Sequence, residues 1–457
     1  MPAQVLPCFP RKALIPAVFV ALPAILFYAI LFRQAINVPL LDDYEALLDF
    51  LNQMAELKSV SARASYFLAS QHNEYKLFFG HGVAWLQLAL YGRIDIRILC
   101  AVGNGFVLLL AVLLWKMFLP NHRDLTYRLA FFIPVSWLLF QLQYAETLNW
   151  AMASLANLPV LLFSLGAIYL LVRPARHAFC GSLVCFVLAV ASLGNGFLLI
   201  PIGVLILMLA RRYARAVCWL AVSAGCVAAY AYRYNVMSSQ SRLNHSVLSQ
   251  VIRPQPLYVI TFIGNAAAFP VEERYFLIDI SLSLFLGLFL CAFFVAAVRR
   301  SYVRRNPLVS CCILFLLLTA VGVAGLRSDL GLAQSLGSRY GIYSALFLIF
   351  AWFVGVEEFL PYENVPLHHN HMLLVAIAGS VLFSLSMDAL GWRNLAGRNS
   401  MVILGMAAYE HPVSLETSTG PIFPLPNQNA RWDELDRRAP VILRQSKKLG
   451  IYKPPAY

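Results

Sequence analysis

Residues 77–91 read LFFGHGVAWLQLALY, an apolar run set between Lys76 and Gly92. How this run is placed decides the architecture. A helix that spans the hydrocarbon core needs about 20 apolar residues, because about 30 Å divided by about 1.5 Å per residue is about 20. This run is shorter, and it carries Gly80, His81, Gly82 and Gln87. Counted as a crossing, it would also reverse the side of every later loop. It is predicted to be an interfacial or re-entrant helix, and Pro256–Phe269 is read in the same way.

Outward from that run the pattern is regular. Apolar stretches at 13–32, 97–119, 129–142, 151–172, 178–193, 197–210, 216–232, 276–298, 308–325, 341–355 and 372–390 predict about eleven transmembrane helices. The 457 residues are 60% hydrophobic and 12% charged, with mean hydropathy +0.70. Soluble domains carry about 25% charge and about 45–50% apolar residues. Disorder, a nucleic-acid-binding domain and a small disulfide scaffold are excluded. The first stretch follows Arg11 and Lys12 as a signal peptide would, but no small-x-small cleavage site follows it, so it is read as an uncleaved helix. Apart from Cys8, the nine cysteines sit in or beside apolar stretches and read as small hydrophobes, not as disulfides or zinc ligands.

The net charge of +13 follows from topology. With the N-terminus inside, four of the five loops predicted cytoplasmic hold arginine clusters: Arg123/Arg128, Arg173/Arg176, Arg211/Arg212/Arg215 and Arg299/Arg300/Arg304/Arg305. The exception, 356–371, carries Glu357, Glu358 and three histidines but no Lys or Arg. The fold class is therefore an all-α integral membrane protein. Residues 1–391 form a transmembrane domain, with 33–97 as the first outer loop. Residues 392–457 form a small extramembrane tail broken by Pro412, Pro421, Pro424 and Pro426, expected on the outer side.

The richest chemistry is Asp42-Asp43-Tyr44-Glu45, just beyond the first helix. Two adjacent carboxylates at a low-dielectric surface suit a general base, because burial and mutual repulsion raise one pKa toward neutrality. Asp42-x-x-Glu45 also reads as a capping-box analogue, in which Asp42 starts a helix. His72-Asn73-Glu74-Tyr75-Lys76 precedes the interfacial run, where Lys76 suits a phosphate and His72 or Glu74 a substrate or a metal; a solvated turn is the plainer alternative. Gln143, Glu146 and Asn149 stand where the third crossing ends, either at a site or as polar glue between helices. Arg327 and Arg339-Tyr340 lie on the outer side against the charge rule, and guanidinium forks suit phosphate. The alternative for Arg327 is a local pair with Asp329. No phosphate-binding P-loop, dinucleotide fingerprint, zinc-protease or serine-hydrolase motif occurs.

The order of these features resembles the GT-C superfamily of polytopic glycosyltransferases, which includes the protein O-mannosyltransferases and the lipid A aminoarabinose transferases. The resemblance rests on Asp42-Asp43 after the first helix, Lys76 before an interfacial helix with Trp85 and Gly92, Arg97 opening the next crossing, and Ser338-Arg339-Tyr340 at a late helix. Leu77-Phe78-Phe79 stand where those enzymes usually carry prolines. The resemblance implies inverting transfer of a sugar from a polyprenyl-phosphate donor to a glycan, lipid or protein acceptor on the periplasmic face. Carried over by position, Asp42 and Asp43 would be catalytic and Lys76 would meet the donor phosphate; Arg327 and Arg339 suit the same phosphate by the chemistry of their guanidiniums. Tyr44, His72, Asn73, Glu74, Gln143, Glu146, Asn149 and Tyr340 would line the substrate site. No metal ligand set is assigned, although a divalent cation (Mg or Mn) held by Asp43 with Glu74 or His72 is open. The other readings are a flippase or a polymerase of lipid-linked glycans.

Overall fold

The computed structural model describes residues 11–119, 124–235, 255–269, 276–328, 331–359, 371–410 and 430–455. In chain order the helices are α1 (Leu14–Gln34), α2 (Phe50–Glu56), α3 (Val60–Ala69), α4 (Phe78–Tyr91), α5 (Ile96–Met117), α6 (Leu125–Leu139), α7 (Glu146–Asn149), α8 (Ala151–Leu171) and α9 (Arg176–Ser192). They continue as α10 (Leu199–Leu209), α11 (Tyr213–Ala231), α12 (Pro256–Ile263), α13 (Phe276–Arg299), α14 (Tyr302–Arg305), α15 (Pro307–Arg327), α16 (Gly341–Phe359), α17 (His371–Glu410) and α18 (Ala430–Lys448). Among the described residues there is no sheet, only two isolated bridges.

Nine segments in the described residues are long and apolar enough to cross a membrane. They coincide with nine of the eleven predicted crossings. The other two, α9 and α10, have 17 and 11 residues and are joined by the turn Gly194–Leu198. Removing such a pair from the count leaves the direction of every other helix unchanged. The run that decided the architecture is the 14-residue α4, which buries Gly80, His81, Ala84 and Gln87 and exposes Trp85, Leu86, Leu90 and Tyr91. Its length, about 21 Å at about 1.5 Å per residue, fits an interfacial element and falls short of a span.

With little hydrophobic drive between helices in lipid, close packing depends on small residues. The crossing of α12 and α13 is the extreme case. A Cβ on Gly264 would lie 1.9 Å from the Ser283 carbonyl oxygen, and one on Gly287 would lie 2.0 Å from that of Ile260. At the α5–α8 crossing, a Cβ on Gly103 would lie 2.4 Å from Ser154 Oγ.

The last long helix, α17, runs unbroken from His371 to Glu410, past the expected boundary at residue 391. Its 40 residues span about 60 Å, roughly twice the hydrocarbon thickness, so its last turns project beyond the bundle. The tail then returns as α18 to the loop 33–97. Arg438 pairs with Glu45 at 2.6 Å and Asp49 at 3.1 Å, and Ser446 donates to Asn52 at 2.9 Å. Ile442, Leu443 and Tyr452 share an apolar core with Leu40, Leu47 and Leu51. At the other end of the bundle, Glu357 accepts from Tyr302 at 2.7 Å and Glu358 from Arg305 at 2.5 Å. The loop lacking Lys and Arg thus begins beside the arginine turn 299–305; His368 and His369 lie outside the described residues.

Candidate functional site

The acidic pair divides its work. Leu41 adopts φ 50°, a left-handed conformation that costs a side-chain-bearing residue about 1–3 kcal/mol, and makes the turn that carries both aspartates into the helical segment. Successive residues of a helix point about 100° apart, so the two carboxylates diverge. Asp43 is fully buried, and its carboxylate accepts from the backbone N–H of Met152 at 2.7 Å, Leu40 at 3.1 Å and Ala151 at 3.3 Å. It therefore caps α8 across the fold, where the helix dipole favours negative charge. This corrects the catalytic assignment of Asp43. The cap of α8 is thus a residue more than 100 positions earlier in the chain.

Burial pushes the Asp43 carboxyl up from 3.8 to about 7; the three N–H donors pull it back, and Asp42 adds a smaller upward push. A carboxyl raised in this way binds more protons folded than unfolded. Its contribution to stability is full below 3.8 and is lost as pH rises to about 7. Thermal unfolding followed from about pH 4 to about pH 8 should show that decline in the wild type and not in Asp43→Asn. Equal slopes in both proteins would sink this assignment.

Asp42 stays at the surface of the site, with Oδ2 3.5 Å from His72 Nε2. His72 and Tyr75 exchange backbone hydrogen bonds of 2.8 and 2.9 Å across a tight turn, in which Asn73 takes φ 52° and places Nδ2 2.7 Å from His72 Nε2. The end of α11 rivets this turn. Asn235 N–H donates to Gln71 at 2.9 Å, and the Tyr234 hydroxyl to the Glu74 carbonyl at 3.1 Å.

Lys76 is corrected as well. Its ammonium is buried and donates to the carbonyls of Leu68, at 2.6 Å, and of Tyr232. Those carbonyls end α3 and α11, where a cation meets the negative end of the helix dipole. Burial lowers its pKa. Lys76 is a rivet between two helix ends.

The arginines come together with the glutamates. Arg327 Nη2 donates to Glu74 Oε1 and to the Tyr75 hydroxyl, both at 2.7 Å. Glu146 stands between Arg339 (3.8 Å) and Arg398 (3.5 Å), whose guanidinium carbons lie 5.7 and 5.9 Å from the Trp150 ring centre. Arg339 also lies 5.0 Å from the Tyr340 ring. Arg339 is within electrostatic reach of Arg327 and of Arg398, and Arg398 of Asp43. The side chains of Asp42, Glu74, Glu146 and the three arginines are each 15–26% exposed, so every one of them is partly accessible. Asp329 lies outside the described residues.

The remaining predicted substrate residues are scaffold. Gln143 donates to the carbonyls of Asn265 (2.5 Å) and Ala268 (3.2 Å), and its own carbonyl accepts from Ser338 at 2.7 Å. Asn149 donates to Asn399 at 2.6 Å, which donates to the Gln34 carbonyl at 2.8 Å. Tyr44 is buried in the apolar core beneath the loop. The donors considered for a divalent cation do not converge, because Asp43 faces α8 and Glu74 faces Arg327.

Two contributors were missed. Arg398 reaches the site only because α17 continues past 391, and Arg398-Asn399 on a helix assigned to the tail gave no signal of its own. Asp388 accepts from Leu142 N–H at 2.9 Å and holds the break where α6 ends; as an acidic residue inside an apolar run it was legible. Beside this geometry, no known protein family, curated protein or solved structure matches the chain.

Proposed function

We propose that the protein transfers a sugar from a polyprenyl-phosphate donor to an acceptor hydroxyl at the membrane surface bearing residues 33–97. That surface is read as the periplasmic face of a bacterial inner membrane. The observation that carries this reading is the pairing of Arg339 and Arg398 around Trp150, the residue that leads into Ala151 and Met152, whose N–H groups hold Asp43 next to Asp42 in the chain. In the step, Asp42 takes the acceptor proton and the acceptor oxygen forms a bond to the anomeric carbon. The bond from that carbon to the phosphate oxygen breaks, and its electron pair leaves on the lipid phosphate. A phosphate leaving group needs no general acid, only positive charge where negative charge develops. Charged groups gathered at one end of the helices suit surface chemistry better than carriage through the midplane.

The test is release of polyprenyl phosphate by the purified protein, given a panel of pentose, hexose and N-acetylhexosamine polyprenyl phosphates with a glycan, lipid or protein acceptor. Release with at least one donor is expected. No release from any donor, by folded protein that binds polyprenyl phosphate, overturns the reading.

A further inference from the structure

Glu146 is held unusually for a paired carboxylate. Charge-assisted contacts between guanidinium and carboxylate run about 2.7–2.9 Å, and Arg327–Glu74 at 2.7 Å is such a pair. Glu146 instead hangs between two guanidiniums at 3.5 and 3.8 Å, close-paired with neither. Its Oε2 also takes the backbone N–H of Arg339 at 3.3 Å, in the turn Ser338–Tyr340 that leads into α16. Among the described residues, Arg398 has this loose contact as its one ion pair. One polar atom beside the pair is left without a partner: Trp150 Nε1, on the ring that both guanidiniums overlie. A buried donor without an acceptor calls for an explanation. Two forks, a backbone N–H and a spare donor fit an anion larger than a carboxylate, with oxygens on more than two sides.

We infer that Glu146 occupies the seat of a phosphate group in the resting protein, and that a phosphate-bearing ligand binds between Arg339 and Arg398 by displacing it. This rests on the reading of the site as one for a lipid-phosphate donor, and adds how that site is regulated: the chain supplies its own competing anion. An internal competitor that fills the seat nine-tenths of the time weakens apparent affinity about tenfold.

The test is binding by the full chain in detergent micelles, with decaprenyl phosphate followed by native mass spectrometry and inorganic phosphate by calorimetry. Glu146→Gln is expected to tighten decaprenyl phosphate binding about tenfold. Arg339→Gln and Arg398→Gln are expected to weaken it by about tenfold or more, and Glu146→Gln to give no gain in the Arg398→Gln background. The same ranking with inorganic phosphate assigns the seat to any phosphate; a ranking confined to decaprenyl phosphate assigns it to the lipid headgroup. Either supports the seat. Unchanged or weaker binding in folded Glu146→Gln overturns it and leaves Glu146 a brace. Should that variant not fold, Glu146→Asp withdraws the charge by one methylene and is also expected to tighten binding; no tightening overturns the seat. Ranked binding without sugar transfer sinks the transferase reading alone, and transfer with unranked binding sinks the seat alone.

Discussion

Asp42→Asn is expected to lower sugar transfer about 10²–10⁴-fold, the range for removing a positioned general base, while the protein folds and binds polyprenyl phosphate as the wild type does. The two halves of this expectation have separate causes. Asp42 is partly exposed, lies 3.5 Å from His72 and makes none of the contacts that cap α8. The amide keeps its shape and removes its basicity. Asp43→Ala is the contrasting variant. It strips acceptors from three buried N–H groups, each costing about 1–3 kcal/mol when left unpaired, so its effect should appear as lost folded protein. The measurements are initial transfer rate and unfolding midpoint for both variants. Near-normal transfer by Asp42→Asn would end its assignment as base. Loss of folding in Asp42→Asn, with none in Asp43→Ala, would reverse the roles given to the pair.

The largest effect on folding is expected at Gly287. Any Cβ there meets the Ile260 carbonyl 2.0 Å away, and Gly264 on the facing element meets the Ser283 carbonyl at 1.9 Å. Neither obstacle is a flexible side chain. The helices would have to part, which removes the contacts of α12 with α13 and carries Asn265 away from Gln143. Gly287→Val should cost more than about 4 kcal/mol, beyond the usual range of single substitutions. Gly322→Val is the control, because a Cβ at Gly322 meets nothing within 4 Å. Fluorescence-detected size exclusion compares the two. Equal monodisperse yield would mean that the crossing is looser than these distances state.

Much of this was legible in the sequence, for identifiable reasons. Apolar runs are long-range averages, so the helix set survived errors of a few residues; α9 and α10 failed the length test because Gly194-Asn195-Gly196 cuts two short runs. The region of the acidic motif was legible, but its division of labour was not. That depends on which of two adjacent carboxylates meets the start of α8 more than 100 residues away, which no local pattern of side chains announces. Lys76 misled because a buried lysine held by two carbonyls has the same sequence signature as one awaiting a phosphate. Arg398 was hidden by a boundary: prolines near 412–426 suggested a tail that starts early, whereas the helix persists to Glu410.

The latch formed by α18 has a consequence in time. Its bonds to the acidic loop join residues 389 to 394 positions apart in the chain. On the ribosome, the loop holding Asp42 emerges early and must wait, with Leu40, Leu47 and Leu51 uncovered, until Ile442, Leu443 and Tyr452 have been made. Every nascent chain short of that point lacks the lid of the apolar core on which the Asp42 turn rests. The apolar core beneath the proposed catalytic surface is therefore completed only by a chain translated through residue 452.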